Sequence, residues 1–191
     1  MTTDTLAKKN RKAKKMMLWF GMISITMTFA GLTSAYVVSS TRADWLRDFE
    51  MPEAFTYSTL LIFISSITFH LGKRALMQDQ MQQVKRWVLV TLALALLFVF
   101  TQFQGFGQII AEGYYFTGAQ STITTSFWYV LVLLHLAHLA AGIIVLGVVY
   151  YNLMQNTYNP TKTLGFELAV TFWHFLDFLW LYLFFFVLLY R

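Results

Sequence analysis

The sequence has no cysteine, only two prolines and few charges: 12% of its 191 residues are Asp, Glu, Lys or Arg, where a soluble domain averages about 25%. The missing thiols exclude disulfides, zinc–thiolate sites, iron–sulfur clusters and cysteine nucleophiles within this chain. The scarcity of charge argues against an ordinary soluble domain, and no segment is long and polar enough to make a separate one. The net charge is basic, formally +5. The Lys and Arg residues lie beside apolar runs and are not spread over a soluble face, so no nucleic-acid partner is expected.

What the chain does have is hydrocarbon: 58% hydrophobic residues, 18% aromatic, with 19 Phe. A membrane-crossing helix needs about 20 mostly apolar residues. Five stretches qualify, at about 16–38, 55–72, 87–104, 127–149 and 166–190. Each is expected to be an α-helix, because hydrocarbon offers no water to satisfy an open backbone. The alternating short strands of a membrane barrel are absent. The expected fold is therefore all-α: a basic tail over 1–15 and one five-helix transmembrane domain over 16–191. The apolar run from Met16 to Val38 is too long for the core of a signal peptide, so it reads as a retained first span.

Basic residues set the expected orientation. Lys8, Lys9, Arg11, Lys12, Lys14, Lys15, Lys73, Arg74, Lys85, Arg86 and Lys162 fall on one side, against Arg42, Arg47 and Arg191 on the other. The positive-inside rule then puts the N-terminus in the cytoplasm and the C-terminus in the periplasm. Asp44, Asp48, Glu50, Glu53 and Glu112 fall outside, against Asp4 and Asp79 inside. Pro52 suits the start of the second helix. The stretch 105–125, rich in Gly and aromatics, is expected to be an outer loop with an interfacial helical piece around Gln108–Tyr115.

Two patterns carry possible function. In the first helix Gly21, Ser24, Thr28, Gly31 and Ala35 recur at spacings of 3 and 4, making one face of small residues. Such a face allows close helix packing, either within the bundle or against another subunit. The last two helices hold the polar residues that a membrane disfavours. His135 and His138 are one turn apart, as are His174 and Asp177, with Glu167 two turns earlier. At about 1.5 Å per residue, His138 and Asp177 lie at similar depth near the bilayer middle. An ionised acid facing lipid costs several kcal/mol, so both stripes are expected to turn inward and toward each other. Three uses fit the set. Metal or haem ligation would need more convergent ligands than are visible. A proton or ion pathway is the default hypothesis for intramembrane acids. The third is structural, with buried side chains bonding across helices. His70, near the end of the second helix, reads as a snorkelling interfacial side chain.

The closing segment, "GFELAVTFWHFLDFLWLYLFFFVLLYR" at 165–191, closely resembles the last helix of subunit III of the haem–copper cytochrome oxidases. The matching positions are Gly165, Phe166, Glu167, Trp173, His174, Phe175, Asp177, Trp180 and Leu181. The pair His135 and His138 followed by Gly142, the stretch "FAGLTSAYVV" at 29–38 and "FTQFQGFGQI" at 100–109 are similar to the family's preceding helices. Five helices correspond to its short bacterial form. One departure is Ile25, which stands where the family usually carries a glutamate, so proton uptake or carbodiimide reactivity ascribed to that acid does not transfer.

The resemblance implies a non-catalytic accessory subunit of a respiratory terminal oxidase in the bacterial inner membrane. Such a subunit packs on subunit I among the other oxidase subunits, stabilises it, binds phospholipid in a cleft and supports proton uptake. It holds no cofactor, since haem and copper belong to partner subunits. It also implies that His135, His138, Glu167, His174 and Asp177 form a structural polar network with no catalytic or metal role. The alternative is a small transporter or proton channel using the buried His, Asp and Glu. Helix-breaking interruptions of the kind common at transporter sites are absent, which counts against it.

Overall fold

The computed structural model describes residues 3–46, 52–118, 121–158 and 163–190. Arg47, Asp48, Glu50, Lys162 and Arg191, used above for orientation, lie outside the described residues, as does the side chain of Asp4. Five helices follow in order: α1 Thr3–Ser39, α2 Glu53–Met77, α3 Met81–Ala111, α4 Ile123–Met154 and α5 Leu164–Tyr190. All five are long and apolar enough to cross a membrane. Among the described residues there is no strand, only an isolated bridge between Tyr115 and Ser121.

The helices outrun the apolar stretches that signal them. α1 has 37 residues, about 55 Å at 1.5 Å each, against a hydrocarbon core of about 30 Å. Its basic first third is thus continuous helix. α3 runs through Gly105 and Gly107 to Ala111 and stops at Glu112, with Gly113 at φ 86. The expected interfacial piece around Gln108–Tyr115 therefore divides between the last turn of α3 and the loop that follows. α4 starts on a reciprocal cap between Thr122 and Thr125, each side chain satisfying the other's backbone N–H.

α2, α3, α4 and α5 form a closed antiparallel ring, each packing on its two neighbours. α1 stands outside it and touches only α4 and α5. Lipid tails are as apolar as Leu, so this packing rests on close fit and interhelical bonds rather than on escape from water. The ring core is aromatic, with Phe55, Phe69, Phe98, Phe166, Trp173 and Trp180 fully buried. Gly105 lets the Phe55 ring press on the α3 backbone: a Cβ there would lie 2.6 Å from ring carbons. Gly142 similarly admits Leu176 and Trp173 to α4. A second cluster of Phe29, Tyr36, Trp45, Leu131, Leu179 and Leu183 fixes α1 to the α4–α5 seam.

The face that α1 turns to the bundle is Met22, Phe29, Thr33 and Tyr36. Gly21, Ser24, Thr28, Gly31 and Ala35 are all exposed, and nothing lies within 4 Å of a Cβ built on Gly21 or Gly31. The small-residue stripe is left uncovered by this chain. Large residues do the docking inside it because α1 drops into a groove between two helices already packed together.

Candidate functional site

The five polar residues of α4 and α5 occupy three separate places. At the basic end, Glu167 sits in the first turn of α5, where the helix dipole favours an anion. Thr163 donates to its Oε1 at 2.6 Å. Arg11 Nη2 donates to Oε1 at 2.7 Å, and Lys15 Nζ lies 2.8 Å from Oε2. Arg11 and Lys15 are one turn apart on α1, so one acid clamps two cations of a neighbouring helix. The side chains remain partly exposed, 46% for each cation and 21% for Glu167. The pair is accordingly worth about 1 kcal/mol or less.

Deeper in the bundle, α2 and α5 exchange a ladder of hydroxyl contacts. Trp173 Nε1 donates to Ser65 Oγ at 3.2 Å, and Trp180 Nε1 to Thr59 Oγ1 at 3.0 Å. Beside the Ser65 rung, Ser66 Oγ lies 2.6 Å from His174 Nδ1. The same Nδ1 is 3.9 Å from Asp177 Oδ2, beyond hydrogen-bond length. The His70 ring centroid is 6.1 Å from that of His174. Asp177 is buried and its two oxygens have no hydrogen-bond partner.

The α4 histidines part company. A step of three residues turns a helix by about 60° short of a full circle, which is enough here to send them to different interfaces. His135 is fully buried, its ring 5.2 Å from Trp180 and 6.4 Å from Phe98, with neither nitrogen bonded. His138 faces α1, edge-on to Phe29, and its Nδ1 bonds the carbonyl of Leu134 at 2.8 Å. The α4 histidines and α5 acids are therefore not brought together: Glu167 pairs with α1, Asp177 lies beside His174 of its own helix, and His135 and His138 sit against aromatic rings. Among the described residues no group of three or more His, Cys, Asp or Glu side chains is placed to hold a metal ion.

Sequence reasoning missed the partners of these groups. Ser65 and Ser66 repeat Ser58 and Thr59 seven residues on, and Trp173 and Trp180 share that spacing. Matching periods on antiparallel helices were the available signal. α1 and α5 also meet farther out, where Thr33 Oγ1 lies 2.9 Å from the Tyr182 hydroxyl.

Between α1 and α5 runs a groove. Its basic end is a cavity of about 210 Å³ lined by Lys15, Trp19, Lys73 and Glu167, among others. Farther along, a cavity of about 380 Å³ is walled by Thr26, Phe29, Phe175, Phe178 and Tyr182. A third cavity, of about 430 Å³, lies apart from that groove between α1 and the start of α4, against Leu32, Ile123 and Phe127.

Comparison with known proteins gives this arrangement a family. A family model for cytochrome c oxidase subunit III matches residues 11–191. A cytochrome c oxidase subunit 3 from Thermostichus vulcanus is 30% identical over 167 residues, covering 85% of this chain and 80% of that one. A cytochrome bo(3) ubiquinol oxidase subunit 3 from Pseudomonas putida is 28% identical, covering 87% and 80%. A cytochrome c oxidase subunit 3 from Bacillus sp. strain PS3 is 28% identical, covering 94% and 86%. The match runs from the α1 residue that pairs with Glu167 to the end of α5, and on this ground the chain belongs to the cytochrome c oxidase subunit III family.

Proposed function

We propose that this chain is the non-catalytic third subunit of a respiratory haem–copper terminal oxidase in a bacterial inner membrane. In this reading it packs directly on subunit I, stabilises it during turnover, binds phospholipid and supports proton uptake, while haem and copper reside in partner subunits. The observation that carries the reading is the bare face of α1. Gly21, Ser24, Thr28, Gly31 and Ala35 form a stripe suited to close helix approach, and this chain leaves it uncovered. The stripe is the proposed contact with the oxidase core.

The α1–α5 groove is the proposed lipid seat. A cationic end with Lys15, Lys73 and the aromatic Trp19 leads to an apolar wall of Phe29, Phe175 and Phe178, which suits a headgroup and an acyl chain. The orientation follows from charge, with the Lys- and Arg-rich end in the cytoplasm. That reading makes residues 1–15 a cytoplasmic extension of a single membrane domain, helical from Thr3 onward.

The test is recovery of the tagged chain from native membranes in mild detergent, with identification of everything bound. A larger multi-helix subunit is expected with it, and all haem absorbance should follow that subunit. Recovery of the chain alone with stoichiometric haem would overturn the reading. The buried acid Asp177 is the one feature that favours a transporter or proton channel instead. That alternative requires proton or ion flux from liposomes holding this chain alone, whereas an accessory subunit should give none.

A further inference from the structure

Asp177 is 4% exposed in the middle of α5, with no hydrogen-bond donor on either carboxylate oxygen. An acid kept for fastening helices is normally bonded through its oxygens, since an unsatisfied buried group is a net cost. An apolar side chain would hold this position more cheaply. What surrounds Asp177 is instead a short series of groups able to pass a proton. His174, one turn earlier, has Nδ1 3.9 Å from Oδ2, a gap that one water or a small ring rotation closes. Ser66 Oγ steadies the same nitrogen at 2.6 Å. His70, one turn along α2 toward Lys73 and Arg74, is exposed, its ring 6.1 Å from that of His174.

We propose that His70, His174 and Asp177 form a proton-exchange site, open at His70 and closed at Asp177. A proton taken by His70 from the interface passes to His174 Nε2. His174 then gives its Nδ1 proton to Asp177 Oδ2, leaving a neutral imidazole and a neutral carboxylic acid. The reverse sequence returns the proton. Nothing is oxidised and no other ligand is needed. Histidine suits the relay because its charge changes near neutral pH.

The surroundings supply no competing charge among the described residues. α2 presents Ser66 and His70. On α5, Glu167 lies toward the basic end and is matched by Arg11 and Lys15. α1 lines its side of α5 with Thr26, Phe29 and Ala30. From α4, His135 lies against Trp180, one turn beyond Asp177, and His138 meets Phe29. The inference deepens the proton-uptake part of the proposed function and rests on it for its use, although not for its existence.

Infrared difference spectroscopy of the whole purified chain tests it without a mutation. Aspartate with a heavy-carbon side-chain carboxyl marks the band, and Asp177 is the one aspartate buried among the described residues. A protonated-carboxyl band is expected that shifts with the label, titrates with pH and exchanges in heavy water. Asp177→Asn should abolish it and Glu167→Gln should keep it. His174→Leu should slow its exchange about tenfold or more, as loss of a positioned acid–base group does. The absence of a labelled band at every pH, or exchange unchanged by His174→Leu, would overturn the site. Either failure leaves the oxidase assignment standing, whereas failure to recover a larger partner overturns that assignment and not the site.

Discussion

α1 and α5 both cross the membrane, yet only 17% of the apolar stretch of α1 is buried inside the chain against 44% of that of α5. α5 touches three helices; α1 touches two, along one edge. The difference shows in their glycines and small residues. In the ring, Gly105 and Gly142 are filled by Phe55 and Leu176. On α1, Gly21 and Gly31 have nothing against them. The same chemistry is spent on internal fit in one region and left open in the other. On α1 a face suited to close approach is left uncovered within its own chain, as the proposed contact with the oxidase core requires.

Gly105→Ala gives the largest expected effect. The new methyl would meet the buried Phe55 ring, and overpacking of this kind costs about 1–3 kcal/mol, read as a lower thermal midpoint of the purified chain. Gly142→Ala should cost less, because its close neighbour is the end of a Leu side chain. Glu167→Gln releases Arg11 and Lys15 and should cost about 1 kcal/mol or less, fading as salt is raised. Gly31→Ala should move stability the other way, by up to about 1 kcal/mol in favour of the isolated chain, since helix propensity improves and nothing is crowded. Asp177→Leu should leave the midpoint within about 1 kcal/mol of the parent or raise it, because it removes an unsatisfied buried acid; a clear loss would return Asp177 to a fastening role.

The smallest effect belongs to the loop. Arg42 donates two hydrogen bonds to Asp44 and holds its carboxyl below the ordinary carboxylate range. A lowered carboxyl favours the folded state above the ordinary value and loses that favour as pH falls through its own. Both groups are exposed, so Asp44→Asn should leave the midpoint unchanged at neutral pH and in acid alike.

The number and kind of elements were legible because hydropathy reports what hydrocarbon requires. Their ends were not. α2 continues through Lys73 and Arg74 to Met77, and α3 begins at Met81 with Lys85 and Arg86 ahead of its apolar run. Charge ends the hydrocarbon zone without ending a helix. Gly105 read as the start of a loop, yet it serves a ring packed from another helix, a tertiary demand invisible along one chain. The site was half legible. The place of Glu167 at the basic end and of His174 and Asp177 one turn apart on α5 followed from spacing. The cations of Glu167 stayed hidden because residues 8–15 read as a tail instead of as helix. The separation of His135 from His138 depended on which neighbours fill each interface, which helical spacing alone leaves open.

If α1 meets the oxidase core through its small-residue stripe, as proposed, enlarging a residue of that stripe must cost the partner and leave the chain itself intact. The most direct measurement is the amount of haem-bearing subunit recovered with tagged Gly31→Leu chain, relative to the parent, from membranes holding equal amounts of each. A marked loss of partner is expected, with the thermal midpoint of the isolated chain unchanged or raised, as for Gly31→Ala. Full recovery of the partner with Gly31→Leu would contradict it.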